Sequence, residues 1–165
     1  MKACQIIILL LTFLTAQSQS TSSIKDIDDV ISRIENNSDL SKRTYDTVQY
    51  LKEDGGNRWD SAYVHMEVYY LSGRIVKILS WNKHLEWRND MVAYYLDSKA
   101  IKFCRGESFE GDDDYGKLNF AIYYSNNRSI GVSWLTPKPE NLIAVDTEIY
   151  LEWAYTLLSK GLNKN

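Results

Sequence analysis

The spacing of apolar residues changes twice along this chain. Between Ser23 and Glu35, Ile24, Ile27, Val30, Ile31 and Ile34 recur at helical intervals, with Lys25, Asp28, Asp29, Arg33 and Glu35 facing away. That pattern predicts an amphipathic helix over about 23–35. Ser23 is its cap, Asp26 closes a capping box three residues on, and Asn36-Asn37 ends it. From about residue 63 to 134, short aromatic and β-branched runs alternate with polar turns, which predicts strands. After Asp146 the helical period returns through Ile149, Trp153, Ala154, Leu157 and Leu158, predicting a second helix over about 147–160. Asp146 suits the positive end of that helix, and Lys160-Gly161 supplies its stop. Residues 38–46 carry no clear pattern, Thr47–Leu51 reads as a short first strand, and 53–57 reads as a turn. Thr136-Pro137-Lys138-Pro139 closes the strand section, because proline cannot donate into a ladder.

One unit within the strand section occurs three times, at a spacing of 25 and then 29 residues: Tyr69–Ile78, Tyr94–Phe103 and Tyr123–Val132. Each begins with two tyrosines, turns through polar residues with a basic one, and returns through β-branched residues, which is a hairpin signal repeated. In the first copy, a two-residue turn at Ser72-Gly73 sets Tyr70 opposite Ile75, Val68 opposite Lys77 and Met66 opposite Leu79, with His65 near Ser80. The later copies read as carrying one more turn residue, with Ser98-Lys99 and Asn127-Arg128 at the equivalent places and a bulged pairing. Asn82–Asn89 and Arg105–Gly116 read as connectors. The fold class is α+β: an antiparallel β-meander of about six or seven strands built from three hairpin repeats, with an N-terminal and a C-terminal amphipathic helix packed on it.

The Tyr-Tyr-x-x-Gly-x-Ile unit of Tyr69–Ile75 resembles MORN-like hairpin repeats, and exported bacterial proteins of unknown function built from similar hairpins. The likeness covers residues 63–134. It implies a meandering sheet used as an interaction scaffold, and it brings no catalytic residues with it.

The chain's start adds a targeting expectation. Met1-Lys2 precedes an apolar run from Ile6 to Ala16, too short to span a bilayer and of the length of a secretory signal, with small residues Ala16 and Ser18 before a cleavage point. Residues 1–18 are therefore expected to be a cleaved signal peptide and 19–165 a single exported domain, periplasmic or secreted, with no membrane span after cleavage. Cys4 leaves with the signal, so Cys104 is alone and is expected to act as a small buried hydrophobe. A formal charge of −3 argues against nucleic acid as a partner.

Candidate chemistry is sparse. His65 and His84 lack companions at zinc-ligand spacing, and no nucleophile or phosphate-loop motif occurs. No cofactor is expected. The segment 107–114 concentrates Glu107, Glu110, Asp112, Asp113 and Asp114. Asp112 and Asp114 are the calcium candidates, although the EF-hand spacing fails and a solvated acidic loop is the reading preferred. The same carboxylates, with His84, would serve a small secreted hydrolase if a cleft gathered at least two of them. The reading preferred is a non-enzymatic binding module. With 5 Trp, 12 Tyr and 4 Phe the chain is rich in rings, and each doubled tyrosine puts one ring on each side of the sheet. The two helices together are expected to cover one sheet face, leaving one row exposed: Tyr69, Tyr94 and Tyr123, or Tyr70, Tyr95 and Tyr124. That row would be the contact surface for a protein, peptide or glycan.

Overall fold

A computed structural model describes residues 23–52, 59–113, 115–138 and 144–163. The expected signal peptide, the expected turn at 53–57 and Asp114 lie outside the described residues. Helix α1 spans Ile24–Glu35. Seven strands follow, β1 (Ser41–Lys52), β2 (Trp59–Leu71), β3 (Arg74–His84), β4 (Trp87–Leu96), β5 (Lys99–Phe109), β6 (Phe120–Ser125) and β7 (Arg128–Trp134), and helix α2 (Thr147–Leu162) closes the order. The strands pair antiparallel in sequence order, β1 to β7, as one meander. The α+β expectation holds, with seven strands.

The three hairpins share one geometry. Each turns through two residues with positive φ: Ser72 and Gly73, Asp97 and Ser98, Asn126 and Asn127. Such turns match the twist of the strands they join. The expected extra residue in the later turns is therefore corrected: Leu71 pairs with Arg74, Leu96 with Lys99 and Ser125 with Arg128, at equal loop length. The irregularity sits two pairs inward, where a bulge falls opposite the tyrosine pair, between its two members, in every copy. Tyr70 pairs with Ile75 but Tyr69 with Lys77; Tyr95 with Ala100 but Tyr94 with Lys102; Tyr124 with Ser129 but Tyr123 with Gly131. Val76, Ile101 and Ile130 are thus left without an opposite residue, as a bulge requires. The pairing expected beyond Tyr70 is off by one, since Val68 faces Ile78, Met66 faces Ser80 and His65 faces Trp81.

Strands also run further than their apolar runs suggest. His84, Trp87, Arg88, Arg105 and Glu107 belong to strands rather than connectors, and β1 starts at Ser41. Ladder hydrogen bonds along a long hairpin carry polar residues into strands, whatever their own propensity. At Gly106 an added Cβ would sit 1.9 Å from the Lys117 carbonyl oxygen, so the segment after β5 folds back only because that position has no side chain.

The helices lie on opposite faces, which corrects the expectation that they share one. α2 packs Ala154, Leu157 and Leu158 against Val68, Tyr70, Ile78, Tyr95, Phe103, Ile122 and Tyr124. α1 packs Ile27 and Ile31 against Val92, Cys104, Ala121 and Tyr123. Both predicted N-caps are in place: Ser23 and Asp26 form a capping box, and Asp146 accepts from the Glu148 and Ile149 amides. The predicted stop at Gly161 is corrected. The helix continues through it to Leu162, and Gly161 is buried where a Cβ would meet Ile75 and Ile78 at 3.2 Å. Ile149, expected on the apolar face, is 41% exposed.

Candidate functional site

With one helix on each face, neither tyrosine row stands open. Tyr70, Tyr95, Tyr124 and Tyr123 are buried, while Tyr69 and Tyr94 are half-buried. The expectation of a substantially exposed row is corrected, because each row is where a helix docks. The Tyr95 hydroxyl donates to the Ala154 carbonyl at 2.6 Å and that of Tyr124 to the Thr147 carbonyl at 2.9 Å. Burial raises both phenols well above their ordinary pKa. On the other face Tyr94 donates to Glu35 at 2.6 Å and Tyr123 to Asp28 at 3.3 Å. Lys77 lies 2.8 Å from Glu35, and Lys102 lies 2.9 Å from Asp28 and 4.5 Å above the Tyr123 ring. Burial pushes the Glu35 carboxyl up, but the hydrogen bonds from Lys77 and Tyr94 outweigh it and hold the group below the ordinary range. Tyr69 donates to Glu67 at 2.5 Å, and burial followed by that carboxylate pushes its pKa up to about 12. Cys104 is buried, which pushes its thiol up to about 11 and leaves it a small hydrophobe.

The acidic segment is not gathered into a cleft. Glu107 pairs with Arg105, Glu110 with Lys83 at 2.7 Å, and Asp112 accepts from the Phe109 amide at 3.0 Å. A cleft of about 470 Å³ does contain Glu107, with Arg105, Asn119, Trp134, Asp146 and Tyr150, but His84 is not among its walls. Among the described residues no group of three or more His, Cys, Asp or Glu could hold a metal ion.

What stands open is the end of the sheet away from the three tyrosine hairpins. On the α1 face, beyond the helix, Tyr63 lies 5.3 Å and His65 5.1 Å from Trp81, ring to ring. Asp46 accepts from the Tyr63 hydroxyl and lies 2.8 Å from His65 Nδ1; those two hydrogen bonds hold its carboxyl below the ordinary range. Arg88 is clamped by Asp90 through Nε at 2.9 Å and a terminal nitrogen at 2.7 Å. That clamp presents its guanidinium 4.6 Å above Trp81 and 5.5 Å from Tyr115. Tyr63 is 41% exposed, and Val48 and Tyr50 on β1 are more so. Sequence reasoning missed this cluster. Its signal was the alternation of Tyr63, His65, Glu67 and Tyr69 along β2, but the bulge after Tyr69 puts Trp81 rather than Ser80 beside His65.

The α2 face is also open at this end. Trp87 and Phe109, both about two-fifths exposed, meet with ring centroids 3.8 Å apart and planes inclined at 51°. Beside them Asn82, Asn89 and Gln49 line a shallow hollow.

Comparison with protein-family models, with curated proteins and with solved structures finds no match for the chain. Among the described residues no helix is long and apolar enough to cross a membrane.

Proposed function

We propose that the chain is an exported, non-enzymatic protein-interaction module whose partner surface is the outer aromatic end of the sheet rather than the doubled tyrosines. The observation that carries this reading is the continuous row Tyr63–Trp81–Arg88–Tyr115 at the end of the sheet face that α1 leaves uncovered, flanked by exposed Val48 and Tyr50. Tyr, Trp and Arg are the side chains that dominate binding energy at protein interfaces, since they combine large area with few rotamers to freeze and a polar edge. Here the rings and the guanidinium are held in position by Asp46 and Asp90, so little order remains to be imposed on binding. The hairpin meander supplies a rigid platform, in keeping with the MORN-like resemblance.

The test is capture of partners from envelope and medium extracts of the native host with wild-type protein and with Tyr50→Ala/Tyr63→Ala. Both residues are exposed, so the thermal midpoint is expected to stay within a few degrees while the captured partner is lost. Undiminished capture by the double variant would sink the reading. N-terminal sequencing of protein from the same host tests export, and an intact Met1 in the cytoplasmic fraction would refute it.

A further inference from the structure

The hollow on the α2 face is a second surface, independent of the one just described. Register pairs Thr47↔Val64, Val64↔Asn82, Asn82↔Asn89 and Asn89↔Glu107 set one line of side chains across five strands. At the usual strand spacing that line is about 19 Å long. Alongside it, His84 pairs with Trp87 and Trp87 with Phe109. Asn82 and Asn89 of the first line and His84 and Trp87 of the second, with Gln49 and Ala62, line an open hollow of about 500 Å³, within the range of roughly 300–1,000 Å³ seen for small-ligand sites.

We propose that this hollow binds a neutral, linear oligosaccharide laid across the strands. Gln49, Asn82 and Asn89 supply side-chain amides, each with two N–H donors and a carbonyl acceptor. Among the described residues the Gln49 and Asn82 amides make no hydrogen bond of their own. Asn89 accepts from Arg105 at 3.2 Å through its carbonyl, so its donors remain uncommitted. Neighbouring hydroxyls of a sugar ring both donate and accept, so an amide closes two hydrogen bonds on them without a charge being desolvated. Trp87, which lines the hollow and is 42% exposed, offers apolar ring surface to the C–H face of a sugar. The charge pattern disfavours polyanions, which require several uncommitted cations. Arg105 is engaged by Tyr150, Asn89 and Glu107, and the Glu107 carboxylate ends the row. An extended peptide fits less well. It would pair along a strand edge through its main chain, whereas this row crosses strands whose main chains are already paired.

Calorimetric titration of the protein with cellohexaose, chitohexaose, maltohexaose and xylohexaose, with polygalacturonate as the anionic control, tests the proposal. At least one neutral oligomer is expected to bind and to perturb tryptophan fluorescence. Asn82→Ala and Trp87→Ala are each expected to weaken that binding about tenfold while the fold is kept. Gln49→Ala, at an exposed position, replaces Asn82→Ala should the latter not fold. No heat with any neutral oligomer at millimolar concentration, tighter binding of polygalacturonate, or binding unchanged by these variants overturns the proposal. Tyr50→Ala/Tyr63→Ala is expected to leave the binding intact, and its abolition by that variant would place the sugar on the other face and overturn the proposal equally.

Discussion

On the α2 face, Tyr95 and Tyr124 hold their helix by donating to main-chain carbonyls; on the α1 face, Tyr94 and Tyr123 hold theirs by donating to carboxylates flanked by Lys77 and Lys102. The residues are neighbours in two identical dipeptides, so the difference comes from what each helix brings. α2 brings small and apolar residues, Ala154 and Gly161, that let it sit close to the sheet over a large buried cluster. α1 brings three buried isoleucines and a rim of acids. One contact is mostly apolar, with Arg105 against Tyr150 and Trp153 as its charged element. The other is thinner and partly electrostatic, and screened pairs at its rim contribute little by themselves. A tyrosine can therefore be a core residue in two different ways, and only the acceptor of its hydroxyl separates them.

The largest expected effect follows from the α2 side. Tyr95→Ala removes a fully buried ring and its bond to Ala154, and is expected to destabilise by about 3–5 kcal/mol in denaturant unfolding. An equal loss from Tyr94→Ala would break the distinction between the faces. Next comes Ile31→Ala under α1, expected to cost about 2–3 kcal/mol, toward the low end for such truncations because this layer is thin. Hydrogen exchange is the sharper measurement, since α1 amides should lose protection while those of α2 keep theirs.

Acidification separates the faces without a mutation. Glu35 is held below the ordinary carboxylate range in the folded protein, so its ionised form favours the folded state. The stabilisation is present above the ordinary range and is lost as pH falls through the lowered value. Protection of α1 is expected to fall further in that window than that of α2, and Glu35→Gln should reduce the dependence, the remainder falling to Asp26, whose carboxyl the hydrogen bonds from Ser23 also hold below the ordinary range. Loss of both helices together would show that the faces do not uncouple. The smallest effect serves as a control that touches neither face. Ser98 holds φ of 62° in an exposed turn, and Ser98→Gly is expected to raise stability by about 0.5–1 kcal/mol through relief of the left-handed conformation. A fall in the unfolding midpoint instead would mean that the serine side chain, rather than backbone strain, decides that turn.

Much of the local structure was legible because it depends on short-range chemistry. The Ser23 and Asp146 caps, the isoleucine stripe of α1 and the three hairpins all follow from residues within a turn or two of each other. A bulged pairing was legible in the later two copies, but not the bulge in the first copy nor its place opposite the tyrosine pair, because Val76, Ile101 and Ile130 are β-branched residues that suit a paired strand equally well. Leaving them unpaired reverses which side chains meet further along the hairpin, and that moved Trp81 next to His65. Counting apolar surface also could not assign the helices to faces. Both stripes fit either side, and the choice rests on which face offers Lys77 and Lys102 to the acids of α1 and which offers a close approach to Gly161. From its sequence alone this protein was determined to be a hairpin meander with two amphipathic helices, since period and turn chemistry are local. Which aromatics stay open was decided only by the tertiary structure. Strands β1 to β5 extend past the reach of both helices, and exposure is set by what covers a residue rather than by what it is.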